Sequence, residues 1–457
     1  MFKLFVTNTL GRKKEEFKPL KNNKVNLYAC GVTPYDFSHI GHGRSFINVD
    51  VMVRFLRFLD FDVRYIRNIT DIDDKLLKKA EAAGDINSYK EIANKFVKST
   101  DAELEQLDCV KPDKEPKVTE HIPQIIKFIE QLIEKKKAYA VDGDVYFDVT
   151  SFDGYGKLSG RKVEDMISGA RVEVNEKKKN PADFALWKGN DQELFWKSPW
   201  GFGRPGWHIE CSVLAKEFLG ESIDIHCGGL DLIFPHHENE LAQSESLHGK
   251  IFAKYWLHNA LLNIDKEKMS KSLGNILSLH EVLSKKDPMV VRFYFLQHHY
   301  RMPIEFSFEG LDSAEVAYKK IVNACMHASV NACVHAETKP DDVLTVDDAR
   351  LRDCTFIKDM ITALCDDFNT PKMIGILFEH LDEVKKSSTC ATAVRLFWNQ
   401  ILGLTIDSTK KATDITPEIK KLIEERKIAR SEKNWARADA IRDELAKLGY
   451  EAQDKKL

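Results

Sequence analysis

The sequence predicts an α/β protein: a βαβ core split by an insertion, then an all-helical bundle and a small C-terminal domain. Three observations carry this. First, residues 25–30 (VNLYAC) and 63–66 read as short strands, and between them Phe46, Val49, Val53 and Leu56 form one apolar stripe of a helix over 42–60. Second, the pattern breaks over 121–205, where a polar helix (122–137), a strand (144–149) and a Lys- and Asn-rich stretch (176–180) read as an inserted subdomain. Third, beyond about residue 310 the chain turns helical, with Ala-rich amphipathic runs at 314–330 and 350–365.

Taken in order, the first strand runs into a Gly-, Thr- and Pro-containing loop at 31–40, and a further helix is expected at 71–83. Strand, helix, strand at this spacing is a Rossmann-like unit with its site at the C-terminal ends of the strands. The core resumes with residues 206–220 and a strand at 223–226 that runs into a Gly-Gly turn. The expected divisions are therefore 1–120 and 206–310 for the two core halves, 121–205 for the insertion, 311–406 for the bundle and 407–457 for the C-terminal part. Within the last, a linker at 407–417 precedes charged helices at 418–431 and 435–448, the second capped by Gly449.

A chain of 457 residues holds two to four domains. Its 68 Lys and Arg against 71 Asp and Glu exclude a strongly basic nucleic-acid coat, though a local basic face suffices for RNA binding. Nine cysteines are scattered along it, the N-terminal apolar run is too short for a signal peptide, and no stretch approaches the ~20 apolar residues of a membrane span. The expected setting is reducing cytoplasm, with free or metal-bound cysteines.

The strongest local chemical signal is Phe234-Pro235-His236-His237-Glu238-Asn239-Glu240. With Pro235 in the first turn of a helix, His236 and Glu240 share one face. Imidazole and carboxylate so placed suit zinc, and Cys30 and Cys211 are the thiolates that would complete a tetrahedral set. The spacing alone leaves other readings open: ion pairing for His236 and Glu240, simple burial for the cysteines, and His237 or Glu238 as competing donors.

Three segments suit a nucleotide. His39-Ile40-Gly41-His42 opens a helix, where Gly41 lets a phosphate approach the backbone and free N–H groups face the anion. Lys268-Met269-Ser270-Lys271-Ser272 lies in a Gly- and Asn-punctuated loop, with two ammonium groups suited to pyrophosphate. Gly228-Gly229-Leu230-Asp231 follows a strand, with glycines that admit a flat adenine or ribose and an acid for a ribose hydroxyl. No Walker loop is present, so ATP would be held by another architecture.

Together these residues resemble the cysteinyl-tRNA synthetase family of class I aminoacyl-tRNA synthetases, over nearly the whole chain. HIGH at 39–42 and KMSKS at 268–272 match the class signature. The blocks YACGVT at 28–33, NITDIDDK at 68–75, GWHIECS at 206–212 and FPHHENE at 234–240 match the family. The resemblance implies ATP-dependent formation of cysteinyl-adenylate, then transfer of cysteine to the terminal ribose of tRNA(Cys). It implies one zinc ion on Cys30, Cys211, His236 and Glu240, which selects cysteine over serine because a thiol gives up its proton far more easily. It implies that His39 and His42 stabilise the α-phosphoryl transition state, that Lys268 and Lys271 hold pyrophosphate with Mg2+, and that Gly41, Gly228, Gly229 and Asp231 serve ATP. Thr70, Trp207 and His226 would line the cysteine pocket. A monomer without an editing domain is expected.

The C-terminal part resembles the family's anticodon-binding region, with Arg426, Lys427, Arg430 and Arg437 as candidate RNA contacts and Trp435 as a stacking platform. Two departures stand out. Cys227 occupies a position where the family commonly has a third glycine, which would crowd adenosine or offer a competing thiol. The family also usually continues past Leu457 through a short Gly-Thr and Trp-Arg-containing tail. Two rivals remain: a ligase that passes activated cysteine to a small-molecule amine, and a non-catalytic zinc-containing RNA-binding protein.

Overall fold

The computed structural model describes residues 2–162, 176–190, 193–264, 267–268, 277–331, 343–406, 421–422, 425–426, 428–430 and 434–447. The chain divides into two compact units, Met1–Thr405 and Ile406–Leu457. Among the described residues no helix is long and apolar enough to cross a membrane.

The larger unit opens with a two-stranded antiparallel ribbon, β1 (Phe5–Asn8) and β2 (Lys13–Glu16). The core strand β3 (Lys24–Ala29) leads into helix α1 (Ile40–Phe58) and returns as β4 (Asp62–Arg67), parallel to β3. Val25, Leu27 and Tyr28 are fully buried, as expected of a parallel strand covered on both faces. Helix α2 (Asp74–Ala82) begins where the Asp73 side chain accepts from the Lys75 N–H, three residues later than the sequence pattern places it. Helix α3 (Tyr89–Gln106) follows.

The insertion begins with α4 (Ile122–Glu134), which is amphipathic rather than polar, burying Ile125, Phe128, Ile129 and Leu132. Five strands, β5 (Ala138–Val141), β6 (Asp144–Phe147), β7 (Phe184–Gly189), β8 (Trp196–Ser198) and β9 (Gly201–Pro205), then form one antiparallel sheet in the order β5-β6-β7-β9-β8. The sequence pattern shows only one of these strands because all five are short, at three to six residues.

The core resumes with α5 (Trp207–Leu219), β10 (Ile223–Gly229), α6 (Glu238–His248) and β11 (Ala253–Asn259). The four parallel strands lie in the order β11-β10-β3-β4. The chain leaves β3 toward β4 on one side, and β10 fills the other. The strand order therefore reverses between β3 and β10, which opens a crevice at their C-terminal ends. There the Cys30 N–H donates to the Cys227 carbonyl at 3.2 Å. Gly31 follows at a point where a side chain is impossible, since a Cβ would lie 1.6 Å from the Asn68 carbonyl oxygen.

A small sheet of β12 (Leu262–Ile264), β13 (Glu267–Lys268) and a strand at Ile304–Phe306 carries the chain toward residues 269–276. Helix α7 (Leu279–Lys285) is capped by the Ser278 hydroxyl, and α8 (Pro288–Leu296) by the Asp287 side chain ahead of Pro288. The bundle comprises α9 (Phe308–Asn331), α10 (Arg350–Asp353), α11 (Thr355–Leu364), α12 (Thr370–Glu379), α13 (Leu381–Lys386) and α14 (Ser388–Leu402). The run expected as one helix over 350–365 is two, interrupted at Cys354. Cys354 is disulfide-bonded to Cys390, which corrects the expectation that every cysteine is free or metal-bound.

In the C-terminal unit α15 spans Trp435–Lys447. Trp435 is exposed, whereas Arg426 is buried with its Nε donating to the Ala438 carbonyl at 3.3 Å. Arg426 therefore ties two helices together and is withdrawn as an RNA contact. Arg437 is exposed and paired with Glu425 at 3.3 Å. The expected linker at 407–417, Lys427 and the Gly449 cap lie outside the described residues.

Candidate functional site

The first nucleotide segment sits at the mouth of the crevice. His39 is the N-cap of α1, one residue before Ile40 rather than at the 42 that apolar periodicity suggested. The His42 N–H donates to His39 Nδ1 at 3.2 Å, and the His39 N–H donates to His42 Nδ1 at 3.3 Å. The rings stack with centroids 3.5 Å apart. Gly41 lies half-buried in the first turn, where its own N–H and the positive helix end favour an anion. Burial, with His39 and Lys75 close by, holds His42 well below the usual histidine range, so its ring is neutral.

The chain re-emerges from the second segment directly against the first. The Ile40 N–H donates to the Leu277 carbonyl at 3.0 Å, and the Leu279 N–H donates to the Ser38 carbonyl at 2.7 Å. Lys268 ends β13, with only its backbone described, and Lys271 lies outside the described residues.

Deeper in the crevice, Cys30, Cys211, His236 and Glu240 converge. Cys30 Sγ lies 3.8 Å from Cys211 Sγ and 3.7 Å from Glu240 Oε1. Cys211 Sγ lies 3.6 Å from His236 Nε2, which is 3.0 Å from Glu240 Oε1. A tetrahedral ion bound at zinc–sulfur and zinc–nitrogen lengths separates its donors by about 3.3–3.8 Å. These side chains therefore stand close to the edges of such a tetrahedron. Burial pushes the Cys30 thiol far up, with Cys211 and Glu240 adding to it. Cys211 is pulled down by its Cys30 contact but raised overall by burial and Glu240. Burial likewise raises Glu240, against the pull of His226. Two thiols and a carboxylate in one buried volume ionise together only around a cation.

The His236 and Glu240 spacing survives a change of geometry. Helix α6 starts at Glu238, not at Pro235, and His236 belongs to the wider turn Ile233–His237 that precedes it. A second group shares two of the same donors: Cys30, His226, His237 and Glu240. Here His226 Nε2 is 2.8 Å from Glu240 Oε2, and His237 Nε2 is 3.2 Å from Cys30 Sγ. This group has one thiol where the first has two.

The expected pocket residues border this cluster. Trp207 is 41% exposed and stacks on the His236 ring at 4.1 Å. Thr70 is buried, accepts from Asn68 Nδ2 at 3.1 Å and donates to Glu210 Oε2 at 2.9 Å. His226 is fully buried, and its Nδ1 has no hydrogen-bond partner among the described residues. Asp231 is exposed in the short turn Leu230–Leu232.

Two expectations change. Gly228 and Gly229 do not form a turn; they end β10, paired in register with His258 and Asn259. A Cβ on Gly228 would lie 2.6 Å from Cε1 of His237, so that glycine is required by an imidazole of the protein itself. Cys227 is no competing ligand either. Strand alternation turns it away from His226, and it belongs to neither group of converging donors found among the described residues.

Sequence reasoning missed Glu210, His208, Asn68, His258 and Thr9. Glu210 is buried on α5, where it accepts from the Thr70 hydroxyl, and burial pushes it well above the usual carboxylate range. His208 Nδ1 lies 2.9 Å from His236 Nδ1. The one available signal was the clustering of His208, Glu210 and Cys211 within a single helical turn.

The comparisons with known proteins agree with this geometry. A family model described as tRNA synthetases class I (C) catalytic domain matches residues 16–316, and one described as Cysteinyl-tRNA ligase anticodon binding domain matches 412–456. The chain is 47% identical over 455 residues to the Cysteine--tRNA ligase of Geobacillus thermodenitrificans (strain NG80-2), covering 96% of this chain and 94% of that protein. It is 44% identical over 478 residues to that of Thermodesulfovibrio yellowstonii, covering 98% and 97%. Among solved structures, the Mycobacterium tuberculosis methionyl-tRNA synthetase in complex with methionyl-adenylate has a TM-score of 0.62 at 15% identity, over 85% of this chain and 92% of that one. At that identity the likeness is one of fold.

Proposed function

The chain belongs to the class I tRNA synthetases of the cysteine type, and from that premise we propose how its residues activate cysteine with ATP and pass it to tRNA(Cys). The observation that carries the reading is the placement of a two-thiol, one-imidazole, one-carboxylate cluster at the same strand ends as the mutually capped His39 and His42.

We assign the cluster to zinc, held by Cys30, Cys211, His236 and Glu240. Zinc bound there supplies a thiophilic position that accepts the thiolate of cysteine and discriminates against the hydroxyl of serine. Trp207 covers His236 and shields the thiol from water. Thr70, whose own proton goes to Glu210, offers its remaining lone pair to the substrate ammonium. His226 presents its unpaired Nδ1 within the same buried wall.

For the adenylation step, the cysteine carboxylate attacks the α-phosphorus of ATP and pyrophosphate leaves. His39 and His42, each accepting at Nδ1, carry their ring protons on Nε2 and donate them to the α-phosphoryl oxygens as charge develops. The first turn of α1 adds the Gly41 backbone N–H. Lys268 and Lys271 hold the departing pyrophosphate with Mg2+, and Gly229 and Asp231 face the adenosine. No covalent enzyme intermediate is needed, because positioning and electrostatics suffice. A terminal ribose hydroxyl of the tRNA then attacks the adenylate carbonyl, and AMP leaves.

Residues 1–120 and 206–310 form the catalytic core in this reading, with 121–205 inserted between them. Residues 311–406 meet the tRNA body and 407–457 the anticodon, where exposed Trp435 and Arg437 are the contacts proposed. The enzyme acts as a monomer in the cytoplasm.

Cysteine-dependent exchange of pyrophosphate into ATP by zinc-replete protein is the test. Cysteine is expected to support exchange and serine is not, and the activated cysteine is expected on tRNA and not on an amino-sugar acceptor. Cys211→Ser is expected to lose zinc and exchange together. Undiminished zinc in that variant, read by elemental analysis, would remove the metal assignment, and absent exchange in the parent would remove the enzyme.

A further inference from the structure

A chain of three contacts runs from the surface ribbon to the metal cluster through two imidazoles. Thr9 Oγ lies 2.7 Å from His258 Nδ1. His258 Nε2 lies 2.8 Å from His237 Nδ1. His237 Nε2 lies 3.2 Å from Cys30 Sγ. His237 is fully buried and His258 nearly so, and their facing nitrogens, 2.8 Å apart, need one donor and one acceptor between them.

A neutral imidazole has one N–H and one acceptor nitrogen. Two such rings in series must therefore pass their hydrogen bonds in a single direction. Run inward, the Thr9 hydroxyl donates to His258, His258 to His237, and the His237 Nε2–H ends on the Cys30 sulfur. Run outward, His237 Nε2 is bare toward the cluster, as a metal ligand would be, and Thr9 Oγ is the final acceptor. Cys30 as a deprotonated metal ligand has no proton to give, so the outward chain requires His237 itself to bind the ion.

The fold holds this chain in place. His258 is the register partner of Gly228 across β10 and β11. Gly228 leaves the space that the His237 ring occupies, since a Cβ there would lie 2.6 Å from Cε1 and 3.0 Å from Nε2. The Thr9 backbone N–H is fixed by the Trp256 carbonyl on the same strand, at 2.9 Å. Glycine at 228 thus brings His237 within reach of His258 on one side and of Cys30 on the other.

We propose that Thr9, His258 and His237 form an inward hydrogen-bond chain ending in an N–H donated to the Cys30 thiolate, so that His237 is a positioning residue and not a metal ligand. This rests on the metal reading of Cys30 given above. The chemistry explains its use. Two thiolates and a carboxylate already overcompensate a divalent cation, and a substrate thiolate adds one more negative charge. An N–H on Cys30 draws off part of that charge, which leaves the ion acidic enough to take the substrate sulfur.

The test uses the full chain loaded with cobalt in place of zinc, alongside His237→Leu, Thr9→Val and Thr9→Ser. Both His237→Leu and Thr9→Val are expected to bind one metal per chain. Each is expected to yield it to a chelator about 10-fold faster than the parent. Each is also expected to move the thiolate-to-cobalt charge-transfer band to lower energy, with the smaller shift for Thr9→Val. Thr9→Ser, which keeps the hydroxyl, is expected to restore the parental band. Loss of stoichiometric metal in His237→Leu, if that variant folds, would make His237 a ligand and overturn the proposal. An unshifted band in Thr9→Val would overturn it independently. Failure of the parent to bind cobalt at Cys30 would instead overturn the metal reading beneath it.

Discussion

His39 and His42 cap one another: each ring nitrogen Nδ1 accepts the backbone N–H of the other residue, at 3.2 and 3.3 Å, and the two rings stack. One pair of side chains thereby begins a helix and fixes its own tautomers. The arrangement separates two roles that an alanine substitution would confuse.

Asparagine places its amide near the position of Nδ1, and glutamine near that of Nε2. His42→Asn is expected to keep the cap and the parental melting temperature while lowering the adenylation rate by about 10²–10³. His42→Gln is expected to retain more of the rate but to lose about 1 kcal/mol of stability with the cap. Pyrophosphate exchange and thermal denaturation measured on both proteins check the split. Parental turnover in His42→Asn would show that Nε2 does not touch the reacting phosphate.

Arg44 is buried on α1 with no carboxylate partner among the described residues. Its guanidinium donates to the carbonyls of Ala260, Leu261, His299, Tyr300 and Met302, and burial lowers it to about 10. These carbonyls flank the strands that lead to Lys268, so one side chain joins the two signature segments. Arg44→Met strands several buried acceptors and is expected to cost about 3 kcal/mol or more. Arg44→Lys, with fewer donors and no planar fork, is expected to recover only part. Urea midpoints at unchanged slope give the measurement. A loss of pyrophosphate exchange larger than the loss of folded protein would mark the link to Lys268.

Glu103 on α3 is pushed up to about 7 by burial, against a pull from the Ser99 hydroxyl 3.2 Å away. Its unfolded value is 4.5, so between these limits the folded state holds a proton that the unfolded state has released. Stability therefore falls as pH rises from 4.5 to about 7 and stays lower above that. Glu103→Gln is expected to flatten this slope and to gain up to about 3 kcal/mol at pH 8. Denaturant curves at pH 5 and pH 8 decide it, and parallel profiles for the two proteins would refute it.

The fold class was legible because a parallel core advertises itself. β3 buries Val25, Leu27, Tyr28 and Ala29, and α1 carries its stripe at helical spacing. The insertion was half legible, since strands such as Trp196–Ser198 and Gly201–Pro205 are too short and too polar to show a period of two. At the site, the spacing of His236 and Glu240 pointed to a shared face, but joining them to Cys30 and Cys211 as one set took block resemblance. Cys30 carries no local signal toward the others, which lie 181 to 210 residues away. His258 and Thr9 lay beyond reach for a different reason. A histidine in an apolar strand reads as core, and nothing in the sequence tells that it faces Gly228 across a sheet. The glycine at 228 was noticed but given to the ligand, because a missing side chain does not say which neighbour needs the room.

The four donors straddle the five-stranded insertion, with Cys30 before it and Cys211, His236 and Glu240 after it. During synthesis Cys30 leaves the ribosome long before its partners exist, and at ~5–20 residues per second the delay is many seconds. Capture of the proposed metal would therefore be a late event in the life of the nascent chain. It reports that both halves of the crevice have found each other across everything translated between them. A cell that runs short of the ion would accumulate finished polypeptides whose two halves lack their last common tie.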